Sequence, residues 1–129
     1  MVKIISHNPT AGVYAAGSDY AHALEVVAPS RLLFVSGTMG LDAEGRPGTD
    51  LQAQLSLIWR NIRTILASAG MTVDDIVRVT SYLTDRSQVE ANQNARVAAL
   101  CGRAVPTTAI VVQTLQDDWL VEIEVMAAG

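Results

Sequence analysis

The chain has a single cysteine, Cys101, among its 129 residues, so it can form no internal disulfide and fits a reducing compartment. Histidine is nearly as scarce. His7 and His22 lie fifteen residues apart and form no recognisable ligand pattern, so no metal is expected. No apolar run reaches the roughly 18 residues of a membrane span. The opening MVKIISHNP has no apolar h-region, and a signal peptide is not expected. GxSxG, the P-loop and GxGxxG are all missing, which removes the serine-hydrolase elbow, the phosphate cradle and the dinucleotide site, and no cofactor is expected. Charge is thin too, at 17% of residues against roughly 25% in ordinary soluble domains. The net charge is −4, and the nine Lys and Arg are scattered from Lys3 to Arg103 without a basic stripe. Such a chain has little with which to release counterions from a phosphate backbone, so nucleic acid is not an expected partner, nor is a membrane. The expectation is a soluble, cytoplasmic protein.

Apolar residues are abundant, at 50%. The length suits one domain, 1–129, with a sizeable core. Too few charges to dress the whole surface points to some of it being hidden by self-association.

The punctuation of the chain reads as follows. Lys3–Ser6 is a candidate short edge strand. Tyr20–Val27 alternates, Ala28-Pro29-Ser30 breaks it, and Leu32–Val35 is an unbroken apolar run of the kind covered on both faces; the two read as a hairpin. Gly37 ends that strand, either for a conformation a side chain forbids or for a close approach to the main chain. Thr49-Asp50-Leu51-Gln52 matches a capping box, and Leu51, Leu55, Ile58, Ile62, Ile65, Leu66 and Ala69 form the apolar stripe of a first helix, stopped by Gly70. Gln54 and Asn61 fall on its other side. Ile76–Leu83 is a central strand. A second helix runs from Ser87 to Cys101, capped by Ser87 and Glu90, with Val89, Gln93, Val97 and Leu100 facing inward. Thr107–Val112 and Trp119–Met126 flank Gln113–Asp118 and read as paired strands. The order β-β-α-β-α-β-β gives an α+β fold, one sheet with both helices on one face. The other face is then bare and needs a cover.

Candidate functional residues gather at strand ends. In the last strand Leu120, Glu122, Glu124 and Met126 share a face, because side chains alternate along a strand. A carboxylate flanked by apolar residues suits proton transfer, and Glu122 leads. With it stand Tyr20, Gly37, Gln93, Thr107 and Thr108. Each has a plainer reading: Tyr20 as a sheet-edge aromatic, the threonines as β-formers, Glu122 and Glu124 as exposed strand residues.

Several stretches together resemble one family: Tyr20-Ala-His, Leu33-Phe-Val-Ser-Gly-Thr, the helix ending Ala69-Gly70, Asp75-Ile-Val-Arg-Val-Thr-Ser-Tyr-Leu-Thr-Asp85 and Val121-Glu-Ile-Glu-Val. They resemble the Rid family of YjgF-like proteins, the reactive intermediate imine/enamine deaminases. The resemblance implies a chorismate-mutase-like fold, a homotrimer with clefts between subunits, and hydrolytic deamination of a small imine or enamine metabolite. It implies a water held near Glu122 as the catalytic carboxylate, with Tyr20 and Gly37 lining the cleft and Gln93 at a position usually held by asparagine. The family's Pro-x-Arg-(Ser/Thr) reads here Pro106-Thr107-Thr108-Ala109, so Thr108 stands where a carboxylate-binding arginine belongs. One neutral hydroxyl replaces a charged fork. The likeness is therefore to the arginine-lacking branches, and the 2-imino acid activity does not carry over with it. The alternative reading is a trimer that binds a metabolite, or regulates through one, without turnover.

Overall fold

The computed structural model describes residues 2–129. Its elements are β1 (Lys3–His7), β2 (Ala23–Val27), β3 (Leu32–Met39), α1 (Leu51–Ser68), β4 (Ile76–Leu83), α2 (Val89–Ala99), β5 (Thr107–Val111) and β6 (Val121–Ala128). Short 3₁₀ turns, Val73–Asp75 and Arg86–Gln88, precede β4 and α2. The class is α+β, two helices with a mixed sheet.

The strands divide differently from the single sheet expected. Four form one sheet in the order β3-β6-β4-β5, and β1 and β2 form a separate two-stranded sheet. The β2–β3 hairpin does not form. β2 pairs antiparallel with β1, Lys3 opposite Val27 and His7 opposite Ala23. The cause lies in the connection. Ala28 turns the chain at φ 51°, and the N–H groups of Ser30 and Arg31 donate to the Gly129 carbonyl at 3.0 and 2.9 Å. β3 is thereby tied to the end of β6 instead. The two closing runs are also not partners of each other. β4 lies between them, parallel to β5 and antiparallel to β6. The α2 crossover returns the chain to one side of β4, and the connection after β5 carries it across to the other. Local alternation specifies a strand but not its neighbour.

Alternation does specify the core. Ile76, Val79 and Leu83 of β4 and Val121, Ile123 and Val125 of β6 are buried together with Leu55, Ile58, Ile62 and Leu66 of α1. Burying one such side chain contributes roughly 1.5–3 kcal/mol. Ile65, expected in the stripe, is 39% exposed. Gln54, expected outside, is buried and fully engaged: its Nε2 donates to the carbonyls of Gly48 and Asp118, and its Oε1 accepts from Leu120 N–H. Asn61 likewise donates to the carbonyls of Met39 and Leu41. Both side chains tie α1 to loops, a role that apolar periodicity does not register.

The helix starts shift for local reasons. Asp50, not Thr49, caps α1, its extended backbone aiming a carboxylate oxygen at Ala53 N–H, 2.8 Å away. Carboxylate caps are at least as favourable as threonine. The box before α2 is Asp85 with Gln88 rather than Ser87 with Glu90, and it caps the 3₁₀ turn that leads into the helix. The inward face of α2 is rotated by one residue. Asn92, Arg96 and Ala99 are buried, while Val89 and Gln93 are exposed. Arg96 sets that rotation, because its guanidinium donates to both the backbone oxygen and Oδ2 of Asp19, each at 2.8 Å.

Candidate functional site

The outer face of the four-stranded sheet carries the chemistry-bearing side chains. Register fixes their rows. Phe34, Met126 and Arg78 lie abreast on β3, β6 and β4. The next row holds Glu124, Thr80 and Thr108, and the one after it Glu122, Tyr82 and Ile110. Among the described residues no helix covers this face: Leu32 and Phe34 are 58% and 68% exposed, where the sequence suggested a strand covered on both sides.

Glu122 and Gly37 meet directly. Val35 pairs with Val125 and Thr38 with Ile123, so Ser36 and Gly37 together face the single residue Glu124, a β-bulge. The bulge brings Gly37 against the Glu122 side chain. A Cβ on Gly37 would overlap Glu122 Oε2 and sit 2.9 Å from its Cδ. Of the two reasons a glycine was expected here, close approach is therefore the operative one. Both residues line a cleft of about 400 Å³ with Tyr82, Gln113, Thr114 and Glu124. The two carboxylates in it differ. Glu124 accepts from the Tyr82 hydroxyl at 2.8 Å, and that hydrogen bond, with the desolvation and negative charge around it, holds the phenol above its usual range. Among the described residues nothing donates to the Glu122 carboxylate, which leaves it free for water or a ligand. A larger groove of about 640 Å³ runs along the free edge of β3, past Phe34, Met39 and Asn61, and shares Gly37 with the first.

Tyr20 and Thr108 lie at the other side of the sheet. Ala21 N–H donates to the Val105 carbonyl at 3.2 Å, which places Tyr20 beside the entry to β5. The Arg96–Asp19 pair, buried on the arginine side and half-buried on the aspartate side, fastens the same loop to α2. Gln93 lies three residues before Arg96 on that helix, exposed rather than inward-facing. Thr108 Oγ1 accepts from Arg78 Nη2 at 3.1 Å. From Thr108 to Glu122 the backbone separation is about 12 Å, two strand spacings across and two residues along. One chain thus forms two clusters: Gly37 with Glu122, and Tyr20 with Thr108 on the side where α2 carries Gln93.

Three residues around these clusters escaped the sequence reading. Arg96 is not marked by any motif or periodicity and is a buried clamp. Tyr82 and Arg78 carry no mark beyond their place in the Ile76–Leu83 strand. The signal for the last two was present, since both share the parity of Thr80 on β4, but the row they join depends on which strands flank β4. Arg103, the nearest upstream arginine to Thr108, is occupied elsewhere, its Nη2 donating to the carbonyls of Val73 and Ile76. Among the described residues no group of three His, Cys, Asp or Glu could hold a metal ion, and no helix is long and apolar enough to cross a membrane.

Comparison with known proteins gives a consistent result. The family described as Endoribonuclease L-PSP matches residues 13–129. A RutC family protein of Pyrococcus abyssi is 32% identical over 111 residues, 84% of each chain. The RutC family protein YjgH of Escherichia coli is 50% identical over a 54-residue stretch, 42% of this chain and 41% of that one. Among solved structures, YyfB of Yersinia pestis, a protein of the conserved Rid family, matches with a TM-score of 0.85 at 27% identity over 98% of both chains. RidA from Psychrobacter sp. PAMC 21119 matches at 0.73 with 28% identity, covering 89% of this chain and 92% of that one.

Proposed function

This chain belongs to the Rid (YjgF-like) family, and on that premise we propose that it is a homotrimer whose intersubunit clefts hydrolyse a small imine or enamine. The outer face of the four-stranded sheet is the surface through which copies pack. Its exposed Leu32, Phe34 and Ile110 supply the apolar area. The separation of the two clusters within one chain supports this assembly, because a second copy is needed to bring Tyr20, Gln93 and Thr108 up to Gly37 and Glu122.

The observation that carries the catalytic reading is the free Glu122 carboxylate in a cleft whose wall is cut back at Gly37. In the reaction Glu122 accepts a proton from water as the water oxygen bonds to the imine carbon. The C=N π pair moves to nitrogen, which takes up a proton. The carbinolamine then collapses: its hydroxyl gives up a proton, its nitrogen gains one, the oxygen lone pair forms the carbonyl, and the C–N bond breaks to release ammonia. Gly37, Tyr20, Gln93 and Thr108 line the cleft and hold the ligand.

The rival reading is a trimer that binds a metabolite without converting it, and the neutral Thr108 favours it. Ribonuclease action, as the family description words it, suits the chain least: the cleft presents two carboxylates and the whole chain carries −4, which repels a phosphate backbone. A coupled assay for ammonia release from imines generated in situ decides between hydrolysis and binding. Turnover is expected in the wild type and is expected to be strongly reduced in Glu122→Ala. Equal rates in the two would remove the role of Glu122, and light scattering that gave the mass of one chain would remove the intersubunit cleft.

A further inference from the structure

We propose that Arg78 is the anion-recognition residue of this cleft and, with Thr108, selects substrates that carry a carboxylate. The inference deepens the proposed function and rests on it for the location of the cleft. Arg78 is the one arginine that β3, β4, β5 and β6 contain. It lies two residues from Thr80, the register partner of Thr108 on β5, and that diagonal is within reach of a long side chain. Its Nη2 is 3.1 Å from Thr108 Oγ1. Two consequences follow from the donor inventory. The guanidinium keeps its remaining N–H groups, since Thr108 is its one hydrogen-bond partner among the described residues. The Thr108 hydroxyl, already accepting, directs its own O–H elsewhere. Together they present a charged fork and a neutral donor at one place on the outer face.

No ion pair holds Arg78 there. Among the described residues the ion pairs are His7–Glu25, Arg46–Asp42 and Arg96–Asp19, and none involves Arg78. Glu124, on the same face, is taken by Tyr82. Beside the guanidinium a groove of about 300 Å³ opens between His22, Pro106 and Met126, on the side where Tyr20 packs edge-on to His22 at 5.9 Å. A planar guanidinium matches a carboxylate bidentately, which a lysine ammonium does not. Arg78 thus supplies from β4 a fork that β5 lacks at Thr108.

The test uses two probes of equal carbon skeleton, 2-oxobutanoate and uncharged butanone, titrated by NMR against the intact protein. The wild type is expected to prefer the oxo acid. In Arg78→Gln that preference should fall by about 10- to 100-fold, the range for hydrogen bonds to charged groups, with butanone binding unchanged. Arg78→Lys should recover only part of it. The exchange Arg78→Thr/Thr108→Arg should restore it, by returning a guanidinium to the same place from the neighbouring strand. Equal affinity for both probes in the wild type, or an undiminished preference in Arg78→Gln, would overturn the assignment. So would dissociation of the oligomer in Arg78→Gln, which would make Arg78 an ion pair between copies. Oxo-acid binding that depends on Arg78 without any imine turnover would sink the hydrolytic reading and leave this one standing.

Discussion

The two faces of β4 and β6 are made by alternate residues of the same strands, yet they obey different rules. On the inner face Ile76, Val79, Leu83, Val121, Ile123 and Val125 are all buried. Ser81 is the one polar residue buried among them; the rest are what the pleat and the amphipathic α1 require. On the outer face Arg78, Thr80, Tyr82, Glu122, Glu124 and Met126 mix charge, hydroxyls and a thioether. Packing within one chain explains none of them. The inner face is determined by the need to exclude water. The outer face is under no such constraint in the isolated chain and is free to hold a site and an interface.

Neighbouring substitutions on β6 test that division most strongly. Glu122→Ala is expected to lower imine turnover by roughly 10²–10⁴-fold, the usual share of a positioned base, with little change in melting temperature. Ile123→Ala, one residue along, should do the reverse. It should cost about 2–5 kcal/mol in urea unfolding while the folded fraction keeps its activity. A large stability loss in the first, or an activity loss in the second at full folding, would erase the distinction between the faces.

Arg96→Met comes next. Breaking its pair with Asp19 should cost about 2 kcal/mol, below the roughly 3–5 kcal/mol of a fully buried pair because Asp19 keeps some access to water. Hydrogen exchange at residues 19–22 should quicken, and unchanged exchange would mean that α2 does not hold the Tyr20 loop. Gly37→Ala is smaller again. Its methyl must displace the Glu122 carboxylate, so activity should drop about tenfold with the melting temperature preserved; full activity would show that Glu122 works from another position.

The pH responses should be the smallest and should separate the site from the scaffold. Hydrogen bonds from Ser87 hold the Asp85 carboxyl below its usual 3.8, so its contribution is present above that value and is lost as pH falls through the lower folded one. Tyr82, raised above 10.0 by Glu124, contributes below that value and loses the contribution as pH rises past it. Asp85→Asn should flatten the acid limb of thermal stability, and Tyr82→Phe the alkaline limb. If each variant left its limb unchanged, these hydrogen bonds would not persist in solution.

How far each feature was legible follows from the range of the interaction that sets it. β4, α1 and the inner face of β6 were readable because period and parity are local properties of the chain. The cap of α1 missed by one residue because Thr49 and Asp50 are both competent and the entry of the backbone chooses between them. Gly37 was readable as a special position, and its purpose became clear only when the bulge against β6 placed Glu122 beside it. The face of α2 is not legible from periodicity because Arg96 turns inward for Asp19, 77 residues away in the chain. Arg78 carries no local signal of its role, because its place beside Thr108 depends on β5 lying next to β4.

The sequence by itself determined the class, the two helices, the strands, the apolar core and the likeness to the Rid family, since these rest on periodicity and on residues a few positions apart. Tertiary structure alone decided which strands are neighbours, that β1 and β2 stand apart, that Tyr20 and Thr108 are remote from Glu122 in one chain, and that a guanidinium reaches Thr108 from β4. Strand pairing is settled by long-range hydrogen bonds and shared burial, and no local pattern encodes its outcome.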